Sequence, residues 1–293
     1  MAVTTPPPAI DLSDHATWRR VKSNIAVALM VVALVLVAIP LVLVLYTVVK
    51  RGIGVISWDF LTGDIGPQIS KQGGIGPAIV GTLLITGAAT LMAVPLGILG
   101  AIYLNEYGRK SPFAQLIRFM SYVMTGVPSI VMGLFIFTIW VLRFQFSGFA
   151  GALGLACLML PVVIRSTEEM LLLVPDTLRE ASYALGASKA RVTLGVVIPA
   201  AVGGIVSGCL LAVARAAGET APLLFTILTV TSVNSSLTGP NTALATQIFS
   251  NATSPYDAAQ ARAWGASLTL IAIVFVLTVA ARLVTRRLTT PKR

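Results

Sequence analysis

The sequence predicts an all-α integral membrane protein with six transmembrane helices and both termini in the cytoplasm. Three observations predict it. Of the 293 residues, 56% are hydrophobic and only 11% are charged, where a soluble domain carries about 25% charged residues; the mean hydropathy is +0.88. Uncharged runs that can supply the ~20 apolar residues of a membrane-crossing helix recur six times. Of the 21 Lys and Arg, 15 fall in one alternating set of connections and tails and 5 in the other, and an excess of this kind marks the cytoplasmic side.

The elements follow in order. Residues 1–24 form a cytoplasmic tail opening "MAVTTPPPAIDLSDHATWRR", polar and Pro-rich, a composition expected to stay disordered. Ile25–Val49 is the first span. It is too long for a signal-peptide core, and no small-residue cleavage site follows, so it stays as an anchor. Residues 50–74 make a polar loop with Trp58, Asp59 and Asp64. The membrane core is expected over residues 75–285. Within it, Ile75–Leu104 is span two, and 105–118 is a charged connection. Phe119–Leu142 is span three, kinked at Pro128. Arg143 marks a turn and Phe144–Ile164 is span four. Residues 165–191 form the most charged internal loop, and Val192–Ala214 is span five. After Glu219, "APLLFTILTV" either extends that helix or dips back into the membrane. A polar stretch near 231–259 precedes span six, Ala263–Ala281, and residues 286–293 end the chain as a basic cytoplasmic tail.

Several function classes are disfavoured. A nucleic-acid protein would carry its basic residues on a soluble face, whereas the net charge of +10 sits between apolar runs. Cys157 and Cys209 both lie inside such runs and are no disulfide framework. The one histidine, His15, lies in the N-terminal tail, so neither a His-rich metal site nor a His-dependent triad can be built. A membrane enzyme is correspondingly disfavoured. No G-x-x-x-x-G-K-[ST] phosphate loop occurs, so the chain is not itself an ATPase.

The loop "TEEMLLLVPDTLREASYALGASKARVTLGVVIPA" is the most informative stretch. Pro175 ends the helix descending from span four. Thr177 and Glu180, three apart, are expected to form a capping box. Gly186 is placed as a left-handed C-terminal cap, and Ser188 caps a second short helix that climbs toward Pro199. An ordinary amphipathic connector would show the same periodicity, but the residue pattern says more. "EASYALGASKARVTLGVVIP" resembles the signature loop of ABC importer permeases, through Glu180, Ala181, Gly186 and Pro199. Ser182 stands where the second Ala is usual, and Val196 and Ile198 replace the usual Ile and Leu. The resemblance implies that this loop docks into an ATPase subunit, with Glu180, Ala181, Ser182, Gly186 and Pro199 as its coupling residues and Glu180 holding its shape.

"GGIGPAIVGTLLIT", "GVPSIVMGLF", "RSTEEMLLLVP" and "RAAGETAPLLF" narrow the likeness. Together, over Gly73–Leu283, they are similar to the PstA-type permease of phosphate-specific ABC importers. The sister permease, PstC, shares the Arg and the "GET", and "APLLF" favours PstA. This implies a type I ABC importer permease fold in a prokaryotic plasma membrane. It also implies a partner PstC, two copies of the ATPase PstB binding ATP and Mg2+, and a phosphate-binding protein, PstS. This chain itself would hold no cofactor.

"ARAAGETAPLLF" places Arg215 and Glu219 one helical turn apart beside Pro222. Arg215 is 16 residues beyond Pro199, about 24 Å at 1.5 Å per residue, within a hydrocarbon core of about 30 Å. A charge there must face protein or water and have a partner. Pro222 cannot donate to Gly218 and should kink or end the helix. These features lead us to expect a polar cavity around Glu219. Arg215 is expected to line a phosphate path, with Glu219 tuning it and with Thr220, Ser129 and Thr82 as candidate hydroxyls; the bland reading of the pair is an internal salt bridge. Gly126 and Gly133 are expected to be packing sites. A permease for sulfate, molybdate or another oxyanion, and an ion-coupled secondary carrier, are the alternatives. No second copy of the break supports the carrier's inverted repeat.

Overall fold

The computed structural model describes residues 13–70 and 72–289. The chain divides into two units, residues 1–50 and 51–293. The described part of the first belongs to one helix, α1 (Ser13–Gly52). Its apolar side chains, Val27 to Val37 among them, are exposed, as suits a helix whose solvent is lipid. The helix begins twelve residues before Ile25, so residues 13–24 are helical rather than disordered. Residues 1–12 of the tail, and 290–293 of the basic tail, lie outside the described residues.

The second unit holds ten further helices among its described residues: α2 (Trp58–Thr62), α3 (Gly76–Tyr107), α4 (Pro112–Gly126), α5 (Ser129–Phe144), α6 (Gly148–Leu172), α7 (Asp176–Ala184), α8 (Lys189–Ala217), α9 (Ala221–Thr226), α10 (Leu244–Ala252) and α11 (Asp257–Thr289). Among the described residues five helices are long and apolar enough to cross a membrane, and six spans result if α4 and α5 count as one.

Span three is therefore not a kinked helix. It is two helices meeting at 106°. The residue before a proline is pushed out of the helical region, and Val127 is accordingly extended, at φ −70°, ψ 126°. Pro128 then caps α5. The helix descending from span four ends before Pro175 as expected, with α6 continuing to Leu172 through the first charges of the 165–191 segment. Those charges are paired: Arg165 with Glu169 at 3.0 Å and Glu168 with Arg118 at 2.6 Å. Ser147 caps its start, its hydroxyl accepting from the Ala150 N–H.

Small residues bring the helices together, as expected where lipid supplies no hydrophobic drive. α3 and α6 share a core of Ile85, Ala89, Ala93, Ala152, Leu155 and Met159. A Cβ at Gly97 would strike Val163 of α6. α8 lies on α6 at Gly204 and Gly208, where added side chains would overlap Met170 and Ser166. Three π-helical turns interrupt the long helices, at Tyr103–Tyr107, Phe137–Val141 and Thr193–Val197. The third has a plain cause. Pro199 has no N–H to offer Gly195, and Ile198 takes the wider bond to Thr193 instead.

At the far end of α3 from the 165–191 loop, Gly81 admits the Thr242 carbonyl, which a Cβ would overlap. Thr82 Oγ1 accepts the Leu244 N–H at 2.8 Å, fixing the start of α10. Arg262 of α11 donates to the carbonyls of Gly66, Pro67 and Gln72 and so fastens the 63–74 loop.

Candidate functional site

α8 stops at Ala217 and Gly218 caps it, its N–H donating to Arg215 O at 3.1 Å. The chain restarts as α9 with Pro222 in the first turn, where a missing N–H costs nothing. "APLLF" thus does not prolong α8. It forms a short helix against α5, and from Ile227 the chain becomes extended. Gly133 of α5 makes this possible, because a Cβ there would meet Pro222 Cα at 2.8 Å. Gly126 has open space around it and is not the packing site expected.

Arg215 Nε lies 3.6 Å from Glu219 Oε1, with the side chains 71% and 20% exposed. The enclosed polar cavity expected around Glu219 is not formed within this chain. The cleft there is about 10 Å³, and its other lining residues are Leu158, Met159, Val162, Ala212 and Ala216. The reason is the close α6–α8 packing, which leaves Arg215 on the free side of α8. Thr220 and Ser129 are partly exposed at the starts of α9 and α5. Among the described residues no hydrogen bond joins either to Arg215 or Glu219. Thr82 is 3% exposed and donates to Ala78 O at 2.8 Å while accepting from Leu244, so its hydroxyl is structural.

The 165–191 loop resolves into the end of α6, then α7, a turn and the start of α8. The expected capping box is absent. Pro175 takes the N-cap position and no side chain caps α7, so Thr177 falls inside the first turn. The other end is as anticipated. Gly186 has φ +79°; its N–H donates to Tyr183 O and the Ala187 N–H to Ser182 O, at 2.9 and 3.2 Å, the two bonds of a Schellman cap. Ser188 sits at the N-cap of α8, with no side-chain bond. Glu180, Ala181, Gly186 and Pro199 are exposed, and Ser182 is half-buried with its hydroxyl on Leu178 O. Glu180 makes no hydrogen bond or ion pair among the described residues, so it does not hold the loop's shape.

Arg179, its neighbour, does. Its side chain is 8% exposed and that of Glu106 4%. Arg179 Nε and Nη2 donate to Glu106 Oε1 at 3.3 and 2.9 Å, Nη1 to Val174 O and Asp176 Oδ1, and Nη2 also to Leu171 O. Thus all five guanidinium N–H groups have partners. Glu106 lies in the π turn of α3 and also accepts from Asn105 Nδ2 at 2.8 Å. A second tie runs beside it, Arg118 Nη2 to Leu104 O at 2.8 Å. Sequence reasoning missed Arg179. Its signal was a basic residue just past Pro175, where the last carbonyls of a helix need donors.

The chain's relatives agree with this architecture. Residues 93–290 match the family described as binding-protein-dependent transport system inner membrane component. A phosphate transport system permease protein PstA of Yersinia pestis is 44% identical over 91% of each chain. That of Haemophilus influenzae is 39% identical over 91% of this chain and 94% of its own, and that of Mycobacterium leprae 44% over 92% and 90%. Among solved structures, an inward-facing MetNI methionine ABC transporter superposes with a TM-score of 0.59 at 17% identity, over 74% of this chain and 95% of that one. An amino acid ABC transporter with histidines superposes at 0.51 and 20%, over 73% and 92%. These last two speak to the fold, that of type I ABC importer permeases. With relatives this similar over nearly its whole length, the chain belongs to the PstA family of phosphate transport permeases, multi-pass components of the inner membrane.

Proposed function

We propose that this chain forms, with a PstC-type permease, the path of an ATP-driven importer of inorganic phosphate. A dimer of PstB-type ATPases would bind ATP and Mg2+ and engage the Glu180–Pro199 loop, and a PstS-type binding protein would deliver phosphate outside. The 15-to-5 distribution of Lys and Arg supports a topology with both termini and this loop in the cytoplasm.

The observation that carries the reading is Arg215. It is 71% exposed, with one 3.6 Å contact to Glu219, on a helix whose length from Pro199 would end it within the hydrocarbon core. A charge so placed must meet protein or water in the assembly, and a guanidinium matches phosphate oxygens in paired hydrogen bonds. Arg215 lines the path between subunits in this reading. Glu219 weakens its hold, so that phosphate enters and leaves, and Thr220 and Ser129 flank them.

The test is labelled-phosphate uptake in cells lacking only this chain, with other phosphate systems silenced and labelled sulfate as the control. Phosphate uptake alone is lost, and the intact gene restores it. Arg215→Ala does not restore it, although the complex still assembles. A fall in sulfate uptake instead would replace the substrate assignment, and normal phosphate uptake by Arg215→Ala would remove the residue from the path.

A further inference from the structure

α7 is nine residues long and lies between two breaks in the helical path, Leu173–Pro175 on one side and the Gly186 turn on the other. A helix so short is not held by its own backbone. Its outward face is solvent-exposed, and its outer ion pair, Asp176 with Arg109 at 3.7 Å, joins two side chains more than half exposed. Such a pair fixes little. Beside its packing on the start of α8, its buried polar attachment is Arg179, which reaches inward to the π turn of α3, to Leu171 O at the end of α6 and to Val174 O just beyond it.

We infer that Arg179 is a positioning residue for energy coupling: its buried pair with Glu106 makes α7 move as one piece with the cytoplasmic end of α3. This rests on the reading of α7 as the helix that meets the ATPase. An apolar contact could slide under load. A planar fork engaging a carboxylate, the Leu171 carbonyl of α6 and the Val174 carbonyl beyond it fixes direction as well as distance. α3 then carries the displacement to its other end, where Gly81 and Thr82 meet Thr242 and Leu244. A push on α7 therefore reaches the opposite side of the protein through one helix. The break at Pro175 and the turn at Gly186 interrupt the helical path along the chain from α7 into α6 and α8.

The test uses the whole importer in proteoliposomes, with ATP hydrolysis and labelled-phosphate uptake measured on the same preparation. The variants are Arg179→Gln, Arg179→Lys, and the double change Arg179→Met with Glu106→Leu. The double variant leaves no buried charge unpaired, a replacement that folded proteins often tolerate. The double variant assembles with the ATPase and hydrolyses ATP, but phosphate moved per ATP falls about tenfold, within the range of ordinary inter-site couplings. Arg179→Gln behaves likewise, and Arg179→Lys recovers part of the ratio. A purely structural role would lower both rates together and leave their ratio unchanged. A wild-type ratio in the double variant overturns the inference, as does failure of both it and Arg179→Gln to assemble. A wild-type complex that hydrolyses ATP without moving phosphate overturns the transport reading together with it.

Discussion

Replacing Arg262 with Ala should loosen the 63–74 loop while leaving the helices beneath it intact. Arg262 is 4% exposed and donates to Gly66 O at 3.3 Å, Gln72 O at 3.1 Å and Pro67 O at 2.8 Å. Hydrogen bonds from a charged group contribute about 1.5–3 kcal/mol each. Against this stand the burial of the guanidinium and the Nε, which has no partner among the described residues; an unmet buried donor costs about 1–3 kcal/mol. The net tie is about 3 kcal/mol, or roughly a hundredfold in the population of the opened loop. Hydrogen exchange reads it directly. The amides of Ile65, bonded to Thr231 O at 2.9 Å, and Gly74, bonded to Asp64 O at 2.7 Å, should exchange about a hundredfold faster. Those of α3 beyond Ile79 should not change. Unaltered exchange at Ile65 and Gly74 would refute the reasoning, and so would acceleration spread evenly into α3, which would make Arg262 a support of the whole unit.

Gly81→Val forces a side chain into the Thr242 carbonyl and should destabilise the chain by about 3 kcal/mol, the upper range for overpacking, seen as a lower thermal midpoint in detergent. Thr82→Val leaves the Leu244 N–H without its acceptor and should cost about 1–3 kcal/mol, whereas Thr82→Ser should retain most of the midpoint. Gly186→Ala places a Cβ at φ +79° and should cost about 1 kcal/mol; measured on assembled complex, it should weaken ATPase binding more than it lowers the chain's own midpoint. Glu180→Gln, which breaks no contact among the described residues, should leave the midpoint unchanged while ATPase copurification falls.

The elements legible in the sequence were those set by one residue's chemistry. Uncharged runs marked the spans because hydrocarbon tolerates few charges. Gly186 ended α7 because glycine takes the left-handed region freely, and Pro222 restarted the chain as α9. Pro175 likewise marked the end of the helix descending from span four, and α6 stops at Leu172. The capping box failed because Pro175 itself takes the N-cap position of α7, which puts Thr177 inside the first turn. The 106° angle between α4 and α5 was beyond reach for a different reason. "GVPS" signals a break, but its size depends on α5 packing over Pro222, a contact 89 residues away from Gly133 in the chain.

The arginines show why the candidate site was only partly visible. The sequence marks Arg215, beside Glu219 and Pro222 at the end of an apolar run, whereas Arg179 and Arg262 enter it only as loop charges. The structure separates them donor by donor. Arg179 has all five N–H groups engaged and Arg262 binds three carbonyls, so each is committed to holding the fold. Neither can turn toward a ligand without leaving buried acceptors unmet. Arg215 has a single 3.6 Å contact among the described residues and is mostly exposed. Its remaining donors are free for a group this chain does not contain. A fold that satisfies its two buried arginines and leaves this exposed one open supports its assignment to the phosphate path. On the same grounds, Arg215→Ala should cost the isolated chain less than about 1 kcal/mol, the scale of an exposed ion pair. A large loss of stability in that variant would return Arg215 to the class of Arg179 and Arg262.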